Sequence, residues 1–162
     1  MGPAQPHLLE PEMPKPFEQE TRYNIISSME AVVSLAMQVD AGLLSAVKGA
    51  YVGITGMAEL AAEAPFCDDP LLHDLFDEIW DEEDDGSDDP AESYEATVAS
   101  LKRHHARIAE ELGGQSAANF RSFTLELARR TVNAAGGGLL GLSSDTSAKE
   151  QAWLERFASD FS

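Results

Sequence analysis

The sequence predicts an all-α fold, a single-domain bundle of about six helices. Apolar residues recur at three- and four-residue steps, which is the spacing of amphipathic helices. Capping residues and glycines stand where these apolar stripes begin and end. No stretch alternates apolar and polar residues in the way that demands a strand. At 162 residues the chain is long enough to bury one core.

The chain begins with a proline-rich arm. Residues 1–16 contain five prolines, which disfavour both helix and central strand, so we predict a flexible arm followed by a helical domain at residues 17–162. The first helix is predicted at about residues 17–39, and Gly42 supplies its stop. The second is predicted at about residues 43–64. Three glycines share one of its faces, which predicts close approach of another helix at Gly49, Gly53 and Gly56. The residues predicted to face the core are Ile25, Met29, Val32, Val33, Ala36 and Met37 in the first helix and Leu44, Val47, Tyr51, Ile54 and Leu60 in the second.

The third helix is short and begins with Asp69 as its N-cap and Pro70 in its first turn. Its predicted buried residues are Leu71, Leu72, Leu75, Phe76, Ile79 and Trp80. A loop follows at residues 81–89. Asp89 and Pro90 then repeat the start signal, with Glu92 at the third helical position, so the fourth helix is predicted to begin after Asp89.

The last three helices carry continuous inner stripes. The fourth is predicted to end at about Leu112, the fifth to follow a cap at Ser116 and to stop at Gly136, and the sixth to begin with a capping box from Ser147 to Glu150. The residues predicted to face the core are Tyr94, Val98, Leu101, His105, Ile108, Leu112, Phe120, Phe123, Leu127, Thr131, Val132, Ala135, Trp153, Leu154, Phe157 and Phe161.

Acidic residues are concentrated between the third and fourth helices. Residues 68–95, the acidic segment, hold fourteen of the 29 acidic residues and no lysine or arginine. The net charge of -18 argues against nucleic acid and anionic membranes as partners. We predict that the acidic segment binds a basic protein or a divalent cation. It is also expected to meet the nearby Lys102, Arg103 and Arg107, either within the molecule or on a second copy.

The expected location is the cytoplasm. Cys67 is the only cysteine, so no internal disulfide can form and a reducing compartment is favoured. The N-terminus has no basic stretch followed by an apolar run, so no secretory signal is expected. No segment approaches the roughly 20 apolar residues of a membrane-spanning helix.

The C-terminal part of the chain resembles a known family. The run Arg130-Thr-Val-Asn-Ala-Ala-Gly-Gly-Gly-Leu-Leu-Gly-Leu-Ser-Ser, followed by Ser147-Ala-Lys-Glu-Gln-Ala-Trp-Leu, resembles the end of bacterial TerB-like proteins, named for tellurite resistance. Residues 34–63 look like the matching first half. The resemblance, over about residues 24–161, implies an all-helical, stress-related protein built from two related halves. The family's turns carry acidic residues proposed to hold divalent metal. In this chain the corresponding stretches are residues 39–42 and 133–136, and only Asp40 keeps such a carboxylate.

The loop between the third and fourth helices also resembles the calcium loop of an EF-hand. Oxygen ligands occupy positions 1, 3, 5, 9 and 12, glycine occupies position 6, and position 7 offers a backbone carbonyl. The predicted Ca²⁺ ligands are Asp81, Glu83, Asp85, Ser87, Asp89 and Glu92. The alternative is a solvated loop with diffuse attraction for cations, because so acidic a stretch meets this pattern easily by chance.

No set of catalytic residues is evident, so we predict a binding or scaffold module rather than an enzyme. His73 and the acidic residues leave open a metal-dependent hydrolase as a further alternative. His104 and His105 are adjacent and point about 100° apart on a helix, so they are not expected to share a metal.

Overall fold

A computed structural model describes residues 17–39, 56–77, 93–136 and 148–162. Within these ranges every regular element is a helix and no strand occurs, so the all-α prediction is confirmed. The predicted arm at residues 1–16 lies outside the described residues. No described helix combines the length and apolar character needed to cross a lipid bilayer.

Five α-helices and one 3-10 helix have defined bounds in the part of the chain that the structure describes. These are α1 (Gln19–Met37), a 3-10 helix (Phe66–Asp68), α2 (Pro70–Asp77), α3 (Tyr94–Leu112), α4 (Gly114–Gly136) and α5 (Ala148–Asp160). With the helical residues 56–61 this gives six α-helical segments among the described residues, in agreement with the predicted number.

Helix α4 is the centre of the core. It packs against α1, α3 and α5, and α1 also packs against α3. Phe120, Phe123 and Leu127 of α4 are fully buried. The Phe123 ring lies 5.4 Å from Phe66, edge-on, and 5.1 Å from Phe76. Phe66 thus packs the 3-10 helix against α4, and Phe76 packs α2 against it.

The predicted stripes are confirmed at the positions that the structure describes. On α1 the side chains of Ile25, Met29, Val32, Val33 and Ala36 are buried. On α3, Val98, Leu101 and Ile108 are buried, whereas Tyr94, His105 and Leu112 are half-buried. On α5, Phe157 and Phe161 are buried, and Trp153 and Leu154 pack partly against the same cluster. Ile79, Trp80 and the side chain of Ala135 lie outside the described residues.

The predicted start of the fourth helix was wrong. Helix α3 begins at Tyr94, with Ser93 rather than Asp89 as its N-cap. Ser93 has extended backbone angles, and its Oγ accepts the Ala96 N–H at 3.2 Å. A serine caps a helix as well as an aspartate does, so two equivalent signals stood four residues apart.

The predicted cap of the fifth helix was also wrong, because Ser116 lies inside α4. Gly113 alone separates α3 from α4 and has φ +100°, a conformation that favours glycine. Its N–H donates to Ala109 O at 3.2 Å, and its carbonyl accepts from Ala117 N at 3.3 Å. One glycine therefore makes the whole connection. Residues 133–136, aligned with a family turn in the resemblance, form the last turn of α4.

The predicted second helix is described only in part. Residues 56–61 are helical, and Leu60 is fully buried as expected. The helix ends at residue 61, three residues before the predicted end at about residue 64. The close approach expected at Gly56 is not found among the described residues, since a Cβ added there would meet none of their atoms within 4 Å. Gly42, Gly49 and Gly53 lie outside the described residues, as do Leu44, Val47, Tyr51 and Ile54.

Candidate binding surface

The structure describes the two ends of the acidic segment, at residues 68–77 and 93–95. The six residues predicted to ligate Ca²⁺ lie outside the described residues, so that site stays a prediction: Asp81, Glu83, Asp85, Ser87, Asp89 and Glu92. Both described ends are fixed to other helices by polar contacts. These contacts show which carboxylates at the ends of the segment stabilise the fold.

Asp69 anchors the N-terminal end of the acidic segment. The residue is only 4% exposed, and its Oδ1 accepts the N–H groups of Leu71 at 3.0 Å and Leu72 at 3.2 Å. These bonds cap α2, as predicted. Its Oδ2 accepts a third hydrogen bond, at 3.0 Å, from Nδ2 of Asn119 on α4. The Asp69 carboxylate is therefore fully engaged within the fold.

Asp74 makes a second internal contact from the same end. Its Oδ2 lies 3.1 Å from Nη1 of Arg22 on α1. The Arg22 residue is 5% exposed, so this ion pair is largely shielded from water. Removing a partner from such a pair is costly because the remaining charge stays buried. Asp74 thus neutralises a buried cation rather than contributing to the exposed negative charge.

Tyr94 anchors the C-terminal end of the acidic segment to α5. Its hydroxyl donates to Oδ2 of Asp160 at 2.7 Å. Burial of the hydroxyl and its bond to the Asp160 carboxylate raise the pKa of Tyr94, so the hydroxyl remains a donor at physiological pH. The ring also meets Trp153 at 6.5 Å between centroids, with planes 72° apart. The start of α3 and the end of α5 are therefore joined at this point.

An arginine of α5 covers the Tyr94 ring. The guanidinium carbon of Arg156 lies 4.1 Å from the ring centroid. Its Nε is 3.4 Å from Asp160 Oδ2, and its Nη2 is 3.8 Å from Glu95 Oε1. The Arg156 and Glu95 side chains are 59% and 79% exposed. We call Tyr94, Glu95, Trp153, Arg156 and Asp160 the Tyr94 cluster.

Sequence reasoning did not identify the Tyr94 cluster as a site. The signals present were the place of Tyr94 on an inner stripe and the four-residue spacing of Arg156 and Asp160, which is that of helical ion pairs. Neither signal indicates that α3 and α5 meet there. The contact depends on the packing of both helices around α4.

Most described arginines pair with carboxylates outside residues 78–92. Arg107 pairs with Glu111, Arg129 with Glu126, and Arg130 with both Glu126 and Glu63. With Arg22 and Arg156, five of the eleven lysines and arginines are engaged in this way. Six remain for the nine acidic residues of residues 78–92. At most six lysines and arginines of the sequence are therefore left for these nine carboxylates, so the stretch keeps an excess of negative charge.

The expected docking of Lys102, Arg103 and Arg107 on the acidic segment is not found among the described residues. Arg107 instead pairs with Glu111, donates to Thr21 Oγ1 at 3.2 Å and lies 5.4 Å from the Phe17 ring centroid. Arg103 donates to Ser100 Oγ at 2.8 Å. The cations that contact the described ends of the segment are Arg22 of α1 and Arg156 of α5.

The adjacent histidines point in different directions, as predicted, and contact different parts of the fold. His104 Nε2 lies 3.2 Å from Ser28 Oγ on α1, and the His105 ring lies edge-on to Phe161 at 6.2 Å. Burial lowers the pKa of His104, and the nearby Arg103 and Arg107 charges lower it further. His73 is exposed. Within the described ranges, no group of three or more His, Cys, Asp or Glu residues could hold a metal ion.

The chain matches no protein-family model, no curated protein and no solved structure. Its function must therefore be inferred from its own residues. Two features of the described chain bear on function: the anchored ends of the acidic segment, and the exposed Tyr94 cluster at one of those ends.

Proposed function

We propose that this chain is a non-enzymatic, TerB-like helical binding module that binds a basic protein through its acidic segment. The observation that supports this proposal is the excess negative charge of residues 78–92 over the cations left in the chain. A basic partner would supply the missing counter-charge. Attraction between solvated charges weakens with salt over about 10 Å at 0.1 M, so binding should depend strongly on ionic strength.

The contacts at the segment's ends indicate that some of its carboxylates stabilise the fold while others are available to a partner. Asp69 and Asp74 are held by Asn119 and Arg22, so they serve stability. The carboxylates between residues 78 and 92 are the ones that a partner would neutralise. Substitutions in these two groups should therefore separate stability from binding.

The proposal is tested by calorimetric titration of a nonaarginine peptide into two variants of equal net charge. The segment variant carries Glu82→Gln, Glu83→Gln, Asp84→Asn and Asp85→Asn. The control variant neutralises four exposed carboxylates on other elements: Glu18→Gln, Glu20→Gln, Glu59→Gln and Glu110→Gln. Solvated ion pairs contribute about 0.2–1 kcal/mol each, so four lost pairs should weaken binding by about 0.8–4 kcal/mol, which is at least about fourfold.

Selective loss of affinity in the segment variant supports the proposal. Equal weakening in both variants would mean that the peptide senses only the net charge, and the acidic segment would not be the binding site. A wild-type protein that does not bind nonaarginine at low salt would also overturn the proposal.

A calcium-responsive switch is a second candidate, favoured by the EF-hand-like spacing of residues 81–92. Trp80 precedes this loop and can sensitise bound Tb³⁺. The switch predicts saturable Tb³⁺ emission that Ca²⁺ displaces and that Asp81→Ala or Glu92→Ala abolishes without unfolding the chain. Emission that fades in modest monovalent salt would instead indicate diffuse attraction by the acidic residues.

A further inference from the structure

The Tyr94 cluster combines the groups that recognise a guanidinium. An aromatic face binds a planar cation, and nearby carboxylates accept hydrogen bonds from its N–H groups. Arg156 takes this place within the molecule, over the Tyr94 ring and beside Asp160 and Glu95. Two of its residues, Tyr94 and Glu95, closely follow residues 78–92 in the chain.

The contact of Arg156 with the rest of the Tyr94 cluster is weak enough for another guanidinium to replace it. Arg156 is 59% exposed, and its closest nitrogen approach to Glu95 is 3.8 Å, beyond ordinary hydrogen-bond distance. Exposed ion pairs of this kind are weak. Asp160 and Tyr94 hold each other through a separate bond of 2.7 Å, so they stay in place when Arg156 leaves.

We propose that the Tyr94 cluster is a docking site for an arginine side chain of the basic partner, which displaces Arg156 from the Tyr94 ring. This inference rests on the proposed function and adds a specific contact to it. Arg156 then acts as an internal competitor that lowers the affinity for the partner. Arginine is favoured over lysine because the guanidinium is planar, stacks on aromatic rings and pairs with two carboxylate oxygens at once.

Replacement of Arg156, the internal competitor, by alanine tests the proposal. Arg156→Ala also lowers the net charge by one, which by itself attracts a basic peptide. Lys102→Ala is the matched control, because Lys102 is exposed on α3 and its loss changes the net charge equally. We expect Arg156→Ala to strengthen nonaarginine binding at least about threefold more than Lys102→Ala does, since a cation–π contact at an exposed site has about that effect.

A second pair of variants tests whether the Glu95 carboxylate contributes to the site. Glu95→Gln should weaken nonaarginine binding more than Glu110→Gln does, although both remove one exposed charge from α3. Wild-type protein should also bind nonaarginine more tightly than a nonalysine peptide. These readouts do not depend on the stability of the Arg156 variant.

The outcomes separate the two proposals. If wild type binds nonaarginine but Arg156→Ala behaves like Lys102→Ala, the displacement of Arg156 is refuted and the proposed function stands. If Glu95→Gln matches Glu110→Gln and nonalysine binds equally well, the cluster is not an arginine site. If no form of the protein binds the peptide, both proposals fail.

Discussion

Replacement of Asp69 by alanine should destabilise the fold by about 2–3 kcal/mol. The loss of a helix N-cap costs about 1 kcal/mol, within a range of about 0.5–2 kcal/mol. The hydrogen bond from Asn119 contributes about 1 kcal/mol more. Burial of the Asp69 side chain places the estimate in the upper half of these ranges, because its partners would lose a shielded acceptor.

Urea unfolding followed by circular dichroism measures this effect. The matched control is Asp68→Ala, which removes the same charge from an exposed neighbouring residue and should shift the free energy of unfolding by less than about 0.5 kcal/mol. Asp69→Asn should fall between the two, because its carbonyl can still cap α2 while its amide faces the Asn119 amide. If Asp69→Ala and Asp68→Ala unfold alike, Asp69 does not anchor the segment.

Three further predictions concern stability. Burial lowers the pKa of His104 below the ordinary histidine value of about 6.5, so the unfolded chain binds the proton more readily and stability falls as pH decreases below about 6.5. His104→Gln should flatten this decline in urea titrations, and an unchanged slope would contradict the assignment. Asp74→Ala should cost about 2 kcal/mol in the same assay, because it removes a carboxylate that pairs with the buried Arg22 guanidinium, whereas a cost below about 0.5 kcal/mol would refute a structural ion pair. Phe123→Ala should cost about 3–5 kcal/mol, against less than about 0.5 kcal/mol for the 51% exposed Tyr23→Ala, and similar costs would contradict the described core.

The helices and their buried faces could be predicted because apolar residues at helical spacing lie on one face, and that face is buried. Phe120, Phe123 and Leu127 recur at the spacing that places them on one face, and all three are buried. Helix starts were less predictable because capping signals are local and common. Ser93 rather than Asp89 is the N-cap of α3. Gly113 alone connects α3 to α4, so α4 begins before the predicted cap at Ser116.

The polar contacts at the ends of the acidic segment could not be predicted from spacing. Asp69 and Asn119 are 50 residues apart in sequence, Arg22 and Asp74 are 52 apart, and Tyr94 and Asp160 are 66 apart. Each pair forms only after its two helices have packed against the core. The sequence identified where negative charge is concentrated, whereas the structure identified which carboxylates at the segment's ends are already engaged.

Residue-resolved NMR during a titration with nonaarginine peptide tests the central claim most directly, because it locates the binding site on the chain. The account predicts that the largest changes in amide chemical shift occur within residues 78–95, that they saturate, and that they diminish as salt is raised. Changes centred on α1 or on the junction of α3 and α4, with residues 78–95 unaffected, would contradict it.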